Sequence, residues 1–210
     1  AGAARNRVSP AARIAWETDL QKVRDDGAAA AKQLRRSEEE ERSHTEIQGW
    51  LRDLGRALGF NVWIAANDTN RSLPTGRLGD GCIDALPSSI STAPGSDAIR
   101  LIDVIWIDAK AAQVVAAFEV EHTTSIYSGI VRLLDLAIGA PEHAVKGLFL
   151  VAPDDREDEV REQLLRPAFR HIAHLQMRYL PYGELSKNRD AIARFGEGLK
   201  AIHAVSKSLN

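Results

Sequence analysis

Apolar residues recur at helical spacing in two stretches of the chain. In residues 43–60 they fall on one face of a helix that Gly59 would end, at Ile47, Leu51, Leu54 and Leu58. In residues 125–138 an apolar residue returns at every fourth position, at Ile126, Ile130, Leu134 and Ile138. Each stripe predicts an amphipathic helix that packs on a hydrophobic core.

Five further stretches have the composition of strands: residues 61–66, 99–107, 113–121, 145–153 and 176–182. The second and third are joined by the tight segment "DAKAA", which predicts a hairpin. The fourth is continuously apolar, as is typical of a parallel strand buried on both faces. Helices are expected over residues 154–169 and 188–208. This order of elements predicts an α/β fold, a mixed central sheet flanked by helices.

Two segments differ in composition from the rest. Residues 10–42 combine alanine and long charged side chains with few apolar residues, which predicts a solvated helix. We therefore expect residues 1–42 to form a helical extension or linker and residues 43–210 to form the α/β domain. Residues 67–97 are rich in Gly, Pro, Ser, Asn and Asp, which predicts a long loop, with a short strand around residues 82–86.

Composition narrows the class of protein. Hydrophobic residues make up 44% of the 210 residues and charged residues 27%, as in ordinary soluble domains. No stretch approaches the roughly 18 apolar residues of a membrane span. The single cysteine, Cys82, excludes a disulfide framework and favours a cytoplasmic location. The first residue is not methionine, which indicates a piece of a longer protein. The net charge of −2 means that any surface for nucleic acid is local.

Three carboxylates interrupt the apolar hairpin. Glu119 and Glu121 alternate with apolar residues and so share one side of their strand, and hairpin pairing can bring Asp103 next to Glu119. Carboxylates that converge in this way repel each other unless a cation holds them, and oxygen ligands favour Mg²⁺ or Mn²⁺. The alternative is that the two glutamates lie on a solvated face. The apolar surroundings favour burial.

This arrangement resembles the PD-(D/E)xK nuclease superfamily, which has the restriction-endonuclease-like fold. The resemblance covers about residues 43–152 and implies an αβββαβ core. It implies that Asp103 and Glu119 are catalytic metal ligands. Glu121 occupies the position where the family usually has lysine, and it would act as a catalytic acid–base group. Glu46 matches the acid that the family often carries on its first helix, which would make it a third metal ligand.

The same residues leave some roles open. Glu46 also completes the sequence S-x-x-E with Ser43, so it could serve as part of a capping box. Without the family's lysine, Lys110 in the hairpin turn and Arg132 on the following helix are candidates for stabilising phosphate charge.

Three basic residues are candidates for contacts to DNA: Lys110, Arg71 and Arg77. The two arginines lie in the long loop, where exposed charge equally serves solubility.

Two functions follow from the sequence and stay open. The first is a metal-dependent endonuclease that hydrolyses DNA with Mg²⁺ or Mn²⁺, as part of a restriction or repair system. The second is a catalytically inactive module of the same fold that binds protein or nucleic acid. Cleavage of both strands needs two active sites, so a homodimer is plausible, with residues 10–42 as one candidate interface.

Overall fold

The computed structural model describes residues 10–122, 126–139, 145–169 and 175–209. Contacts divide the chain into two units, Ala1–Glu41 and Arg42–Asn210. Helix α1 (Pro10–Ala57) begins in the first unit and ends in the second. In residues 21–41 the described side chains are exposed, apart from the half-buried Glu40, as the sequence predicts for a solvated helix. No helix in these described ranges is both long and apolar enough to cross a membrane.

The helix α1 corrects one prediction about residues 43–46. A capping box requires a helix to begin there, but α1 runs through Ser43 and Glu46 without interruption. The predicted end of the helix is confirmed, because Gly59 follows α1 with a positive φ of 84°. The predicted stripe is also confirmed, since Ile47, Leu51 and Leu54 are buried.

A six-stranded mixed sheet forms the centre of the second unit. Its strands, in spatial order, are β1 (Asn61–Ile64), β4 (Val104–Ile107), β5 (Val114–Val120), β6 (Gly147–Ala152), β7 (Arg178–Pro181) and β8 (Lys207–Ser208). The pairs β1–β4, β4–β5 and β7–β8 are antiparallel, whereas β5–β6 and β6–β7 are parallel. With α1 before this sheet and α4 (Ile126–Gly139) between β5 and β6, the predicted restriction-endonuclease-like αβββαβ order is confirmed.

The segment between β1 and β4 differs from the prediction in two places. The long loop contains the small hairpin β2 (Ser72–Leu73) and β3 (Gly76–Arg77), and the strand predicted around residues 82–86 is absent from it. Two short helices, α2 (Ser88–Ser91) and α3 (Ser96–Ile99), follow. The strand predicted over residues 99–107 therefore begins only at Val104. Ile99 and Ile102 are fully buried, so their apolar character reflects core packing outside a strand.

The C-terminal part is also more divided than predicted. A 3₁₀ turn (Asp154–Arg156) leads into α5 (Glu157–Leu164), as the acid-rich segment suggests. The single helix predicted over residues 188–208 is wrong. Two helices occur, α6 (Tyr182–Phe195) and α7 (Lys200–Val205), because glycines separate them and Gly198 has a positive φ of 54°. The two-residue strand β8 follows α7.

Both faces of the sheet are covered by packed side chains. On the face of α1, Phe60, Trp106, Phe118 and Phe149 form a continuous aromatic row, with ring centroids 5.5, 4.6 and 4.9 Å apart. The Trp106 indole N–H donates to the carbonyl of Leu51 at 3.0 Å, which fixes the helix to the sheet. The other face packs on α4. All residues of β5 are consequently buried, and the glutamates in and after β5 are buried too.

Candidate metal-binding and catalytic site

Asp103 and the end of β5 meet at one edge of the sheet. Val104 pairs with Phe118 in the antiparallel β4–β5 ladder, so Asp103 lies beside Glu119. The N–H of Val120 donates to Asp103 Oδ2 at 2.7 Å. β5, β6 and β7 are parallel, and their carboxyl ends share this edge, which is where α/β sheets commonly bind ligands. The hairpin thus brings the aspartate and the glutamates together as the sequence suggested.

The second oxygen of Asp103 faces helix α1. His44 Nε2 lies 3.2 Å from Asp103 Oδ1, and Gln48 Nε2 donates to the same oxygen at 2.9 Å. Gln48 Nε2 also donates to Asp68 Oδ2 at 2.8 Å, and Arg71 Nε donates to Asp68 Oδ1 at 2.7 Å. His44, Asp68 and Asp103 offer ligand atoms that all lie within 4.8 Å of one another. These residues connect α1, the loop after β1 and the start of β4.

The charge of Asp103 acts on His44. Burial lowers the pKa of His44, but the hydrogen bond and the negative charge of Asp103, together with the charge of Asp68, outweigh it, so the pKa is raised overall. The imidazole is therefore held beside the two carboxylates in a setting that favours a positive charge.

Arg132 on α4 holds the first glutamate of the "EVE" sequence. Its Nε and Nη2 donate to the two oxygens of Glu119 at 2.8 and 2.6 Å, and Nη2 lies 3.7 Å from Glu121 Oε1. Glu119 is fully buried. Burial raises the pKa of Glu119 well above its usual range, while the hydrogen bonds from Arg132 act in the opposite direction. The two parallel N–H donors form a bidentate pair with the carboxyl group, and the hydrogen bond to Glu119 raises the pKa of Arg132.

Helix α4 lies directly against these carboxylates because it carries a glycine at the contact. A Cβ atom at Gly129 would lie 2.5 Å from Glu121 Oε1 and 3.2 Å from the Cβ of Glu119. Arg132 is three residues further along α4, so it projects from the same side of the helix. The glycine therefore allows the close approach that lets Arg132 reach Glu119.

An aromatic and a basic residue border the same edge. The rings of Tyr182 and His122 stack with centroids 5.8 Å apart. Burial raises the pKa of Tyr182, and the charges of Asp103 and Glu121 raise it further, which reflects how near the phenol is to both acids. Arg156 Nη1 donates to the carbonyls of Glu121 and His122 at 3.2 and 2.9 Å.

The structure does not bring two of the predicted residues to this edge. Glu46 is exposed, because it is two residues from both His44 and Gln48 and so projects from the opposite side of α1. Lys110 lies in the hairpin turn beside Asp108, whose Oδ1 accepts from its N–H at 2.8 Å. That turn is at the far end of the seven-residue β5, roughly 20 Å from Glu121.

The two loop arginines differ from each other. Arg71 bonds to Asp68 and, at 3.4 Å, to Thr45 Oγ1, so it belongs to the Asp68–Asp103 cluster. Arg77 is exposed, with Nη1 3.3 Å from Asn70 Oδ1. His44, Gln48 and Asp68 are not among the residues that the sequence patterns predict for the site. The signal that could have found the first two is their one-turn spacing beside the buried stripe of α1.

Comparison with known proteins bears on the role of this edge. Residues 26–199 match the family model described as the type II restriction enzyme NmeDI C-terminal domain. The chain belongs to this family. It is 33% identical over 151 residues to the type II restriction enzyme NmeDI of Neisseria meningitidis serogroup C, an alignment that covers 70% of the chain. The chain spans 42% of the length of that relative. No solved structure matches the chain.

Proposed function

We propose that this chain is a metal-dependent endonuclease domain that hydrolyses DNA phosphodiester bonds in a restriction system. The observation that carries the proposal is the convergence of three buried carboxylates at one sheet edge, in a chain of a restriction-enzyme family. Asp103, Glu119 and Glu121 are 6, 0 and 1% exposed. Buried carboxylates are costly to desolvate, by several kcal/mol per ion, and a fold keeps them when they are paired or bind a metal.

The residues present fit a divalent cation. Asp103 and Glu119 would hold it, since carboxylate oxygens are the donors that Mg²⁺ and Mn²⁺ prefer. Each carboxylate oxygen has two acceptor sites, so the hydrogen bonds from Val120 and Arg132 leave further capacity. The buried Tyr182 hydroxyl at this edge has no partner among the described residues. When bound, such a cation polarises the phosphodiester and lowers the pKa of a bound water.

The other groups at the edge supply the remaining chemistry. Glu121 accepts the proton of the attacking water, the role of a general base. Arg132 provides the positive charge that the family's usual lysine would bring, because its guanidinium reaches both glutamates. Arg71 and Arg77, on the loop and small hairpin after β1, contact the DNA backbone outside the active site. Glu46, which is exposed on α1, and Lys110, which lies in the turn at the far end of β5, are not part of the proposed active site.

A second candidate function has a specific observation in its favour. Both oxygens of Glu119 already accept hydrogen bonds from Arg132, an arrangement that stabilises a domain without a metal. Together with the glutamate at position 121, this pair favours a catalytically inactive module that binds DNA or protein.

Cleavage and binding measured on the same variants separate the two functions. We expect the wild-type chain to nick or linearise plasmid DNA with Mg²⁺ or Mn²⁺. Glu119→Gln and Glu121→Gln should lose cleavage but keep DNA binding, measured by fluorescence anisotropy. Asp84→Asn, which changes an exposed aspartate, serves as the matched control and should cut like the wild type. A folded wild-type chain that binds DNA and never cuts it would support the inactive module.

A further inference from the structure

A second group of potential ligands lies on the α1 side of Asp103. It consists of His44 on α1, Asp68 after β1 and Asp103 before β4, whose donor atoms all lie within 4.8 Å of one another. Asp68 and Asp103 are 3 and 6% exposed, and the side chain of His44 is 22% exposed. Three separate elements thus converge on one point, with a partly exposed imidazole on one side and two buried acids on the other.

Gln48 gives an independent indication that a ligand belongs there. This side chain is fully buried, and its Nε2 donates to both Asp68 and Asp103. Its Oε1 is buried and has no hydrogen-bond partner within the described ranges of the chain. Leaving a buried acceptor unsatisfied costs about 1–3 kcal/mol. Rotation of the carboxamide would turn Oε1 toward the two carboxylates, which is favourable only when a cation lies between them.

The charges of the cluster point the same way. Asp68 and Asp103 carry two negative charges, and Arg71 contributes one positive charge through its 2.7 Å bond to Asp68. Among the residues that the structure describes, no lysine and no other arginine contacts either aspartate. The remaining donors to Asp103 are Gln48, the Val120 N–H and the imidazole of His44. The two carboxylates thus outnumber the one arginine that contacts them, which leaves His44 or a bound cation to balance the second negative charge.

We infer that His44, Asp68 and Asp103, with Gln48 Oε1 as a fourth donor, form a binding site for a transition-metal dication of the Mn²⁺ type. The donor set is one imidazole nitrogen with carboxylate and amide oxygens. The carboxylate and amide oxygens suit Mn²⁺, and the imidazole nitrogen favours a transition metal over Mg²⁺ and Ca²⁺, which take oxygen ligands. The inference goes beyond the proposed function, because this site can bind metal whether or not DNA is cut. It shares only Asp103 with the proposed active site.

The test measures metal binding without DNA. The whole chain is stripped with a chelator and titrated with Mn²⁺, followed by calorimetry and electron paramagnetic resonance, in the Glu119→Gln background that weakens the proposed catalytic site. We expect one Mn²⁺ per chain, bound more tightly than Mg²⁺. Loss of a group that only orients a metal ligand lowers the affinity for the metal by about 10- to 100-fold. His44→Ala and Asp68→Asn, which remove ligands, should weaken binding by at least about 100-fold.

Glu46→Gln is the matched control, because Glu46 lies two residues from His44 on the exposed side of α1. Its Mn²⁺ affinity should equal that of the parent chain. Thermal melts establish whether each variant folds. If Asp68→Asn, which changes a buried residue, does not fold, the comparison of His44→Ala with the parent chain still decides the test. An absent Mn²⁺ site, unchanged binding in His44→Ala, or weaker binding in Glu46→Gln would each overturn the inference. Failure of DNA cleavage alone would contradict only the proposed function.

Discussion

The pair between Arg132 and Glu119 allows a quantitative test of the packing at the sheet edge, through the free energy of unfolding. Glu119 is fully buried and receives two hydrogen bonds from Arg132, so replacing Arg132 by methionine leaves a buried carboxylate without its guanidinium. Removal of one partner of a buried ion pair costs about 3–5 kcal/mol. The Arg132 side chain is 27% exposed and methionine keeps most of its stem, so we expect the lower end, about 3 kcal/mol.

Urea unfolding followed by tryptophan fluorescence measures this loss. Arg161→Met is the matched control, since Arg161 pairs with Glu157 on the surface, with side chains 45 and 29% exposed, and should cost at most about 1 kcal/mol. The double variant Arg132→Met with Glu119→Gln should recover much of the lost stability, because the buried charge is gone. A stabilising role for the Arg132–Glu119 pair is contradicted if Arg132→Met unfolds like the control, or if the double variant is no more stable than Arg132→Met.

Glycine substitutions test the close contacts on both sides of the sheet. Gly129→Ala pushes α4 against Glu121 and should cost about 1–3 kcal/mol in chemical unfolding; a free energy of unfolding equal to that of the wild type would contradict the packing. Gly55→Ala should cost a similar amount although alanine favours helices, because its Cβ would lie 2.7 Å from Trp106 Cδ1. A Cβ at Gly27 meets no atom within 4 Å, so Gly27→Ala should instead stabilise the helical state of α1, by up to about 1 kcal/mol. Circular dichroism and unfolding measure both α1 substitutions. Equal effects of Gly27→Ala and Gly55→Ala would contradict the packing of Gly55 on Trp106.

The order of the elements and the acids at the sheet edge could be predicted from the sequence. The apolar stripes of α1 and α4 and the apolar β5 and β6 are strong local patterns, since burial selects for them directly. The hairpin between β4 and β5 follows from the short connection. These local features are enough to predict that Asp103 lies near Glu119, because hairpin pairing alone brings the two residues together. Arg132, named as a candidate charge, does lie at the edge.

The α1 side of the site could not be predicted in the same way. Gln48 is 20 residues from Asp68 and 55 from Asp103, and tertiary packing alone joins them. Glu46 matches an acid that the resembled family carries on its first helix, but the helical period exposes it and directs His44 and Gln48 inward. Lys110 lies away from the carboxylates because the length of β5 separates the hairpin turn from the opposite end of the sheet. The type of a residue alone indicates neither which side of α1 it occupies nor how far along β5 it lies.

The most direct test of the central claim is single-turnover cleavage of supercoiled plasmid by the wild-type chain and by Asp103→Asn, side by side across a titration of Mg²⁺ and Mn²⁺. Thermal melts first establish that both chains are folded. We expect metal-dependent cutting by the wild type that ceases with excess chelator and is lost in Asp103→Asn. Cutting by Asp103→Asn at the wild-type rate would contradict the role of this edge, and so would a folded wild-type chain that leaves DNA intact at every metal concentration.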